Sequence, residues 1–314
     1  MRWIVINREK NVTRTKTGKA FLLAGLCFSA LPAHAATVAV DCDAGNSIMA
    51  AVGSAKPGDT VLVSGTCNEQ VSFAPESVRI TLDGQKKTKI QHPGKGAPSP
   101  HTVFIRGKDI TIQGITVVGG LDGIHLSGPA SAELDGNVVV KAARAGIHID
   151  KSSVVRVLNN TIQENGAFGI DVTGVSLAYI GVRIPRVPAL SPNTIRNNGG
   201  PGINIERASA AWIVGNTIGN NKGSGILVHR NSQADVMANA IDANGGDAIT
   251  ASFNGGVNLR SEPRSDGPNR TAQENGGVGI RCTTGGFVDG PAGTLGGKQG
   301  AKAIEHGCVD RLER

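Results

Sequence analysis

Residues 123–127, 146–150 and 169–173 read GIHLS, GIHID and GIDVT, and each segment begins 23 residues after the one before it. The Gly-Ile pair, or Ala-Ile in one case, returns at positions 202, 225, 248 and 279. Successive pairs are therefore separated by 23, 23, 33, 23, 23 and 31 residues. These spacings indicate a structural repeat of 23 residues, extended once by about ten residues and once by about eight.

Asparagine keeps the same period at two further places in the repeat. One series lies 14 residues after the Gly-Ile pair, or 24 where the first extension intervenes, and the other lies four residues before the next pair. The first series is Asn137, Asn160, Asn193, Asn216 and Asn239, and the second is Asn165, Asn198, Asn221, Asn244 and Asn275. Asparagine suits the corners of a stack, because it tolerates a left-handed backbone and its amide can bond to the next asparagine.

Between these landmarks, apolar and polar residues alternate in short runs bounded by Gly or Asn, as in residues 154–158. This alternation predicts short β-strands and leaves no room for a helix of about ten residues. A single 23-residue unit cannot bury its own apolar face, but a stack of such units can, with neighbouring coils paired as parallel strands. The sequence therefore predicts an all-β solenoid.

The Gly-Ile strands, the Asn corners and the period resemble the right-handed parallel β-helix of the pectate-lyase-like superfamily over roughly residues 60–282. The start of the chain agrees, because residues 48–55 predict a short helix with Asn46 or Ser47 as its N-cap. In that superfamily such a helix covers the open end of the coil. The resemblance implies a single-stranded right-handed parallel β-helix of about eleven or twelve coils with a short N-terminal capping helix. It does not imply one activity, because this scaffold hosts many.

Residues 1–35 have the pattern of a secretory signal peptide: a basic segment, an apolar run over 20–31, and a small-residue cleavage site at 33–35. We predict cleavage after Ala35, which leaves a single β-helix domain over 36–314 that is secreted or periplasmic. The apolar run of about 12 residues is too short to cross a bilayer, so we predict no membrane span.

The net charge of +7 comes mostly from that leader. It holds six of the 32 Lys and Arg residues and one of the 25 Asp and Glu residues, so the remainder carries a net charge of +2. Because a basic surface is the main sign of nucleic-acid binding, we predict no nucleic-acid partner. We expect a monomer.

Cleavage also removes Cys27 and leaves Cys42, Cys67, Cys282 and Cys308. Four cysteines in an exported chain predict two disulfides, with three connectivities to choose from. The C-x2-4-C spacing of a zinc site is absent from the sequence. In a coil of this period, separations of 25 and 26 residues bring Cys42 near Cys67 and Cys282 near Cys308, and we predict those two pairs.

The strands that contain the Gly-Ile pairs, together called the Gly-Ile sheet, carry the candidate site. Because the Ile must point inward, the residue after it points outward and so does the residue two places further on. The first outward row is His125, His148, Asp171, Asn204, Leu227, Thr250 and Arg281, and the second is Ser127, Asp150, Thr173, Glu206, His229, Ser252 and Thr283. Lys151, Arg207 and Arg230 directly follow the second row.

Both extensions of the repeat fall between the Gly-Ile strand and the Asn corner. We therefore expect two loops at one edge of the Gly-Ile sheet, forming one wall of a groove. The first, around residues 176–189, carries Arg183 and Arg186, and the second, around 253–269, carries further arginines. In the pectate-lyase-like superfamily that sheet and those loops commonly form a polysaccharide-binding cleft.

Lyases and epimerases of uronates need a base beside the substrate carboxylate and a cation to hold its charge. His148 or His125 would be the base, and Arg183 or Arg186 would be the cation. The remaining substrate contacts would come from Glu206, Arg207, His229 and Arg230.

Two other uses of the acidic residues stay open. Asp150, Asp171 and Glu206 would suit Ca²⁺, which prefers clustered oxygen ligands. Asp150 and Asp171 would also suit an inverting hydrolase, because their Cα atoms are expected roughly 8 Å apart. A metal site on His125 and His148 lacks a third histidine in the repeat.

No motif of a known enzyme family assigns a catalytic residue. The Asp-Pro-His-Asp segment of the alginate epimerases is absent, as are the motifs of the polygalacturonases. Outward positions on any β-helix must be polar, so the rows also fit a solvated surface. The first interpretation is an exported protein that binds, and cleaves or epimerises, an extended acidic polysaccharide. The alternatives are a non-catalytic periplasmic or cell-surface scaffold or adhesion protein, and an inverting glycoside hydrolase.

Overall fold

The computed structural model describes residues 35–183, 189–259 and 267–313. Within these residues, short strands alternate with tight turns. Each coil contributes strands to columns that run along the stack. The Gly-Ile sheet is the first column and contains ten parallel strands. They are Val71–Phe73, Val103–Ile105, Asp122–Leu126, Ala145–Ile149, Phe168–Val172, Ile203–Ile205, Ile226–His229, Ile249–Ser252, Ile280–Cys282 and Lys302–Ile304.

The second column contains twelve strands, paired in parallel from the first to the last. They are Thr37–Asp41, Thr60–Ser64, Thr81–Gln91, Ile110–Val118, Ser131–Asp135, Val154–Leu158, Leu177–Ile180, Ala210–Val214, Gln233–Met237, Gly256–Asn258, Phe287–Pro291 and Val309–Glu313. This number confirms the predicted eleven or twelve coils.

The third column is joined to the second in one 18-stranded sheet. Its own strands are Thr66–Cys67, Val138–Val140, Thr161–Gln163, Thr194–Arg196, Thr217–Gly219 and Ala240–Asp242. The long strands Thr81–Gln91 and Ile110–Val118 continue into it from the second column. A separate pair of two-residue strands, Val182–Arg183 and Ala189–Leu190, runs antiparallel.

The register of the Gly-Ile sheet is the one that the 23-residue period predicts. Ile147 pairs with Ile124 on one side and with Ile170 on the other, and all three side chains are fully buried. The next residue along, His148, pairs with His125 and Asp171. The predicted outward rows are therefore confirmed as rows of neighbours.

The Asn corners form two hydrogen-bonded ladders inside the stack. The Asn160 side-chain amide donates to Asn193 Oδ1 at 3.0 Å and to the Leu134 carbonyl at 2.8 Å. Asn193 Oδ1 also accepts from the Asn160 backbone amide at 2.8 Å. The Asn160 and Asn193 side chains thus each satisfy buried backbone groups of the preceding coil. Asn269 extends the first series, which the sequence pattern did not show, because the second extension of the repeat precedes it.

The N-terminal end of the stack is covered by the helix Ile48–Ser54, as predicted. Of the two proposed N-caps, Ser47 holds the position, and its side chain accepts from the Ala50 amide. The Glu69 carboxylate of the next coil accepts from the Ile48 amide at 2.7 Å, which fixes the helix on the stack. Three apolar residues of the helix are buried against the core: Ile48, Ala51 and Val52.

Both predicted disulfides are present, Cys42–Cys67 and Cys282–Cys308, with Cα atoms 5.1 Å and 6.1 Å apart. They join neighbouring coils near the two ends of the stack. Disulfides of this kind are typical of proteins outside the cytoplasm. The signal peptide predicted over 1–35 lies, except for Ala35, outside the described residues, and within the described part no helix is long and apolar enough to cross a membrane.

The predicted position of the two extensions is wrong. Each follows a second-column strand, Leu177–Ile180 or Gly256–Asn258, and so leaves the coil between the second and third columns. Between a Gly-Ile pair and the next Asn corner the chain passes through a complete strand and two corners. The spacing of the repeat does not show at which of the two corners the extra residues are inserted. The extensions therefore begin away from the edge of the Gly-Ile sheet, and their residues 184–188 and 260–266 lie outside the described ranges.

The buried Asn ladder leads to a prediction about stability. We expect Asn193→Ala to lower the free energy of unfolding by about 3 kcal/mol, because two buried backbone groups of the preceding coil, the Asn160 amide and the Val157 carbonyl, lose their partner. Chemical denaturation measures the change. Asn68→Ala, at an exposed position, is the control and is expected to stay within about 0.5 kcal/mol of the parent. Equal losses in the two variants would contradict a structural role for the ladder.

Candidate functional site

The outward face of the Gly-Ile sheet is polar but largely closed to solvent in its N-terminal half. His125, His148 and Asp171 expose 8%, 5% and 4% of their surface. Their side chains cover one another, because the stack holds them on adjacent strands. A solvated surface row does not show such burial, so the interpretation as ordinary surface residues does not fit this part of the sheet.

Seven side chains of this face form a continuous series of contacts, which we call the polar chain. In spatial order its members are Asp122, His101, His125, Asp150, His148, Asp171 and Asn204. Its three imidazole rings lie against one another, the first pair edge to face and the second tilted, with centroids 4.2 Å and 4.7 Å apart. The polar chain joins both predicted rows and adds two residues from neighbouring positions.

The first half of the polar chain is anchored on a buried carboxylate. His101 Nδ1 lies 3.0 Å from Asp122 Oδ2, and His101 Nε2 lies 2.9 Å from His125 Nδ1. Arg144 also donates to both oxygens of Asp122, at 2.9 Å and 2.6 Å. Burial by itself raises the pKa of Asp122, but the contacts with His101 and Arg144 hold it well below its usual value.

The second half of the polar chain is centred on the ring of His148. His148 Nδ1 lies 2.9 Å from Asp171 Oδ2, and the Asn204 side-chain amide donates to Asp171 Oδ1 at 2.8 Å. On its other side His148 Nε2 faces Asp150 Oδ2 at 3.8 Å. Asp171 and Asn204 therefore fix the orientation of the ring, with Nε2 directed toward Asp150.

Asp150 links the two halves and is the most exposed carboxylate of the polar chain, with 18% of its side chain accessible. Its Oδ1 lies 3.3 Å from His125 Nε2. Burial by itself raises the pKa of Asp150, but its contacts with His125 and Ser127 lower it to about 2. Burial lowers the pKa of His125, and its neighbours His148 and His101 lower it further, against the opposing effect of Asp150.

Four of the predicted substrate-binding residues form a second group two and three coils beyond His148, which we call the arginine cluster: Glu206, Arg207, His229 and Arg230. Arg230 Nη1 donates to Glu206 Oε2 at 2.7 Å, and His229 Nε2 lies 3.4 Å from the same oxygen. Both arginine side chains remain more than half exposed. The cluster therefore presents positive charge to solvent beside the polar chain.

Arg183 lies elsewhere. It pairs with Glu133 at 2.7 Å and with Asp135 at 3.2 Å on the second column, so the expectation that it lies over the Gly-Ile sheet is wrong. The physical reason is that the first extension leaves the coil directly after the second-column strand Leu177–Ile180, so Arg183 lies beside that column. Arg186 is outside the described residues, as are Arg260 and Arg264 of the second extension.

The acidic residues do not fit the calcium site that the sequence allowed. Asp150 and Asp171 each face an imidazole nitrogen, and Glu206 pairs with Arg230 and His229 in a separate group. Calcium favours sites built from oxygen ligands, whereas the polar chain alternates carboxylates with imidazoles.

The arrangement also argues against the hydrolase alternative. An inverting hydrolase keeps about 6.5–9.5 Å between its two carboxyl groups for water and the scissile bond. Here the ring of His148 contacts Asp171 on one side and Asp150 on the other. The imidazole therefore occupies the space that the reacting groups would need.

Sequence reasoning missed His101, Asp122 and Arg144. His101 precedes a strand, Val103–Ile105, that has no Gly-Ile pair, so the repeat search did not reach it. Asp122 directly precedes the Gly123-Ile124 pair, whereas the outward rows contain only residues that follow such a pair. A comparable signal was present at Asp247, which precedes Ala248-Ile249 and pairs with Arg281.

A family model described as the right-handed β-helix region matches residues 101–180 and 122–289. None of the curated proteins matches the sequence. Among solved structures, the chain is similar to the pectate lyase Pel9A, with a TM-score of 0.57 and 10% identity, over 89% of this chain and 78% of that one.

Two further structures show the same fold. An alginate lyase from Paenibacillus sp. gives a TM-score of 0.52 and 16% identity, over 88% of this chain and 99% of that one. The A-module of the mannuronan C-5 epimerase AlgE6 from Azotobacter vinelandii gives 0.51 and 13%, over 83% and 84%. Since the family model covers more than half of its residues, the chain belongs to the right-handed β-helix family.

Proposed function

We propose that this protein binds an extended acidic polysaccharide along the Gly-Ile sheet and carries out β-elimination or C5 epimerisation on a uronate residue. The observation that carries the proposal is the buried, oriented imidazole of His148 on that sheet, with exposed arginines two and three coils away. The fold neighbours support it, because they are named as a pectate lyase, an alginate lyase and a mannuronan C-5 epimerase.

Both reactions begin with removal of the proton at C5, beside the uronate carboxylate. We assign His148 as the base, because Asp171 lies 2.9 Å from Nδ1 on the far side of the ring and Nε2 is the nitrogen that would accept the proton. In elimination, the C5 electrons form a C4–C5 double bond as the C4–O bond breaks, and the departing oxygen takes a proton from water. In epimerisation, a proton from water is delivered to the opposite face of C5 and no bond of the chain is broken.

The arginine cluster is the surface proposed to bind the carboxylates of the polymer. Arg207 and Arg230 expose 64% and 54% of their side chains, so their guanidinium groups are accessible to a polyanion. Guanidinium groups match carboxylates in geometry and charge. We further propose that the mature chain acts outside the cytoplasm, in the periplasm or after secretion, where such polymers are found.

The proposed base gives a direct test of activity. On a panel of polyuronates, we expect His148→Gln to lower the rate at least 100-fold, because proton transfer to a positioned base contributes about that factor or more. Ultraviolet absorbance of the C4–C5 double bond reports elimination, and deuterium incorporation at C5 in heavy water reports epimerisation. His306→Gln changes an exposed histidine near the C-terminus and is expected to keep full activity.

Other outcomes of that experiment would reject the proposal. New reducing ends without unsaturation would indicate hydrolysis. Neither product nor deuterium incorporation across the panel, with polymer binding also unaffected by His148→Gln, would favour the scaffold or adhesion role.

The arginine cluster gives a separate test of binding. We expect the double variant Arg207→Gln/Arg230→Gln to bind a polyuronate about tenfold more weakly, a loss of about 1.4 kcal/mol, and to show a weaker salt dependence. Isothermal titration at two salt concentrations measures both effects. Arg196→Gln, at an exposed arginine of the third column, is the matched control, and an equal loss there would show that binding is not confined to the Gly-Ile sheet.

A further inference from the structure

The imidazole rings of the polar chain carry fewer N–H protons than their nitrogens need for a hydrogen bond at every contact. Three neutral imidazoles carry three N–H protons, whereas their nitrogens make five contacts along the chain. Three contacts are short, at 3.0, 2.9 and 2.9 Å. The other two are longer, at 3.3 and 3.8 Å, and both are with Asp150. At least two of the five contacts therefore lack a proton, and the two longest both face the Asp150 carboxylate.

The atoms around Asp150 are buried and lack partners. His125 Nε2 and Asp150 Oδ1 have no hydrogen-bond partner of acceptable geometry, although both are inaccessible to solvent. The Nδ1 atoms of His101 and His148 likewise meet their carboxylates at angles poor for a hydrogen bond. Native structures leave few buried polar atoms in this state, and an ion is one of the groups that satisfies them. Two positive charges at this point would replace the two missing protons.

The geometry around that point suits a small tetrahedral ion. His125, His148 and Asp150 each offer one ligand atom, and these atoms lie within 4.8 Å of one another. Metal–ligand bonds of about 2.0–2.1 Å in a tetrahedron place the ligand atoms roughly 3.3 Å apart. The contact between His125 Nε2 and Asp150 Oδ1 already has this length, and His148 Nε2 lies 3.8 Å from the other oxygen of the same carboxylate, Oδ2.

The far side of each ring has the support that metal-binding histidines require. His148 Nδ1 lies against Asp171, which Asn204 fixes in turn. His125 Nδ1 lies 2.9 Å from His101 Nε2. Such outer partners hold the ring orientation and increase the basicity of the ligand nitrogen.

We infer that His125, His148 and Asp150 bind one divalent transition-metal ion of the zinc type, through the two Nε2 atoms and the carboxylate, with water in the fourth position. Two imidazoles and one carboxylate favour such an ion over calcium or magnesium. The neighbouring group of His101, Asp122 and His125 is less suited, because Arg144 already neutralises Asp122.

This site is a different use of the polar chain from the proposed reaction. Ligation of a metal and acceptance of a proton need the same lone pair on His148 Nε2. A chain that holds the ion therefore cannot use His148 as the base, and the proposed reaction belongs to the metal-free form. The inference concerns metal binding alone and does not depend on the identity of any polysaccharide.

The test uses the tag-free mature chain, stripped with a chelator and titrated with Zn²⁺ at neutral pH in the absence of polysaccharide. We expect calorimetry to give one site per chain, and Co²⁺ at the same site to show the visible absorption of a four-coordinate ion. His125→Gln and Asp150→Asn are each expected to lower the affinity about 100-fold or more, because each removes a ligand.

The matched control is His229→Gln. This imidazole also faces a carboxylate, with Nε2 3.4 Å from Glu206 Oε2, but described residues supply no third ligand beside it, so we expect the affinity to be unchanged. The zinc-induced rise in melting temperature, present in the parent and absent in Asp150→Asn, provides a second readout if one variant folds poorly.

Absence of saturable binding would overturn the inference, and so would equal affinity in His125→Gln or a comparable loss in His229→Gln. The first result would indicate that the extra protons reside on the rings as imidazolium ions. Because no substrate is present, any of these failures leaves the proposed polysaccharide activity to be judged by its own experiment.

Discussion

Parallel pairing between coils in a fixed register is the constraint on which this protein depends. Residues 23 positions apart become neighbours across adjacent strands, and the pairing of Ile124, Ile147 and Ile170 shows that the register holds through the Gly-Ile sheet. The core and the Asn ladders follow from the same rule, because each repeat position lies directly over its equivalent in the next coil. An error of one residue would exchange the buried and outward faces of a strand.

The same constraint builds the candidate site. No single coil contains more than a small part of the polar chain, and its order arises only when several coils are stacked. The result is unusual for an outer face, because His148 and Asp171 are as buried as core residues. A polar surface row would stay solvated, whereas these rings and carboxylates lie against one another in a low-dielectric layer. Orientation of the His148 ring is therefore a property of the stack.

The period of the sequence was enough to predict the solenoid, the outward rows and both disulfide pairs. These features depend only on which residues recur at equivalent positions. The exit corner of the extensions was not predictable in the same way, so Arg183 was expected on the wrong face. His101 was missed because its strand carries no Gly-Ile pair, although it supplies the third ring of the polar chain. Burial of the outward rows was missed because the alternation of apolar and polar residues shows only which way a side chain points. It does not show how closely neighbouring side chains pack over one another.

The most direct test of the register is a pair of introduced cysteines on the Gly-Ile sheet. Leu227 and Thr250 face each other across adjacent coils, so Leu227→Cys/Thr250→Cys places the two Cα atoms about 4.8 Å apart. The account predicts that this pair oxidises to a disulfide, as read by mass spectrometry after proteolysis. It predicts no disulfide in Leu227→Cys/Ser252→Cys, where a shift of two residues separates the Cα atoms by roughly 8 Å, beyond the reach of the bond. Oxidation of the shifted pair, with the facing pair left reduced, would contradict the register and the site built on it.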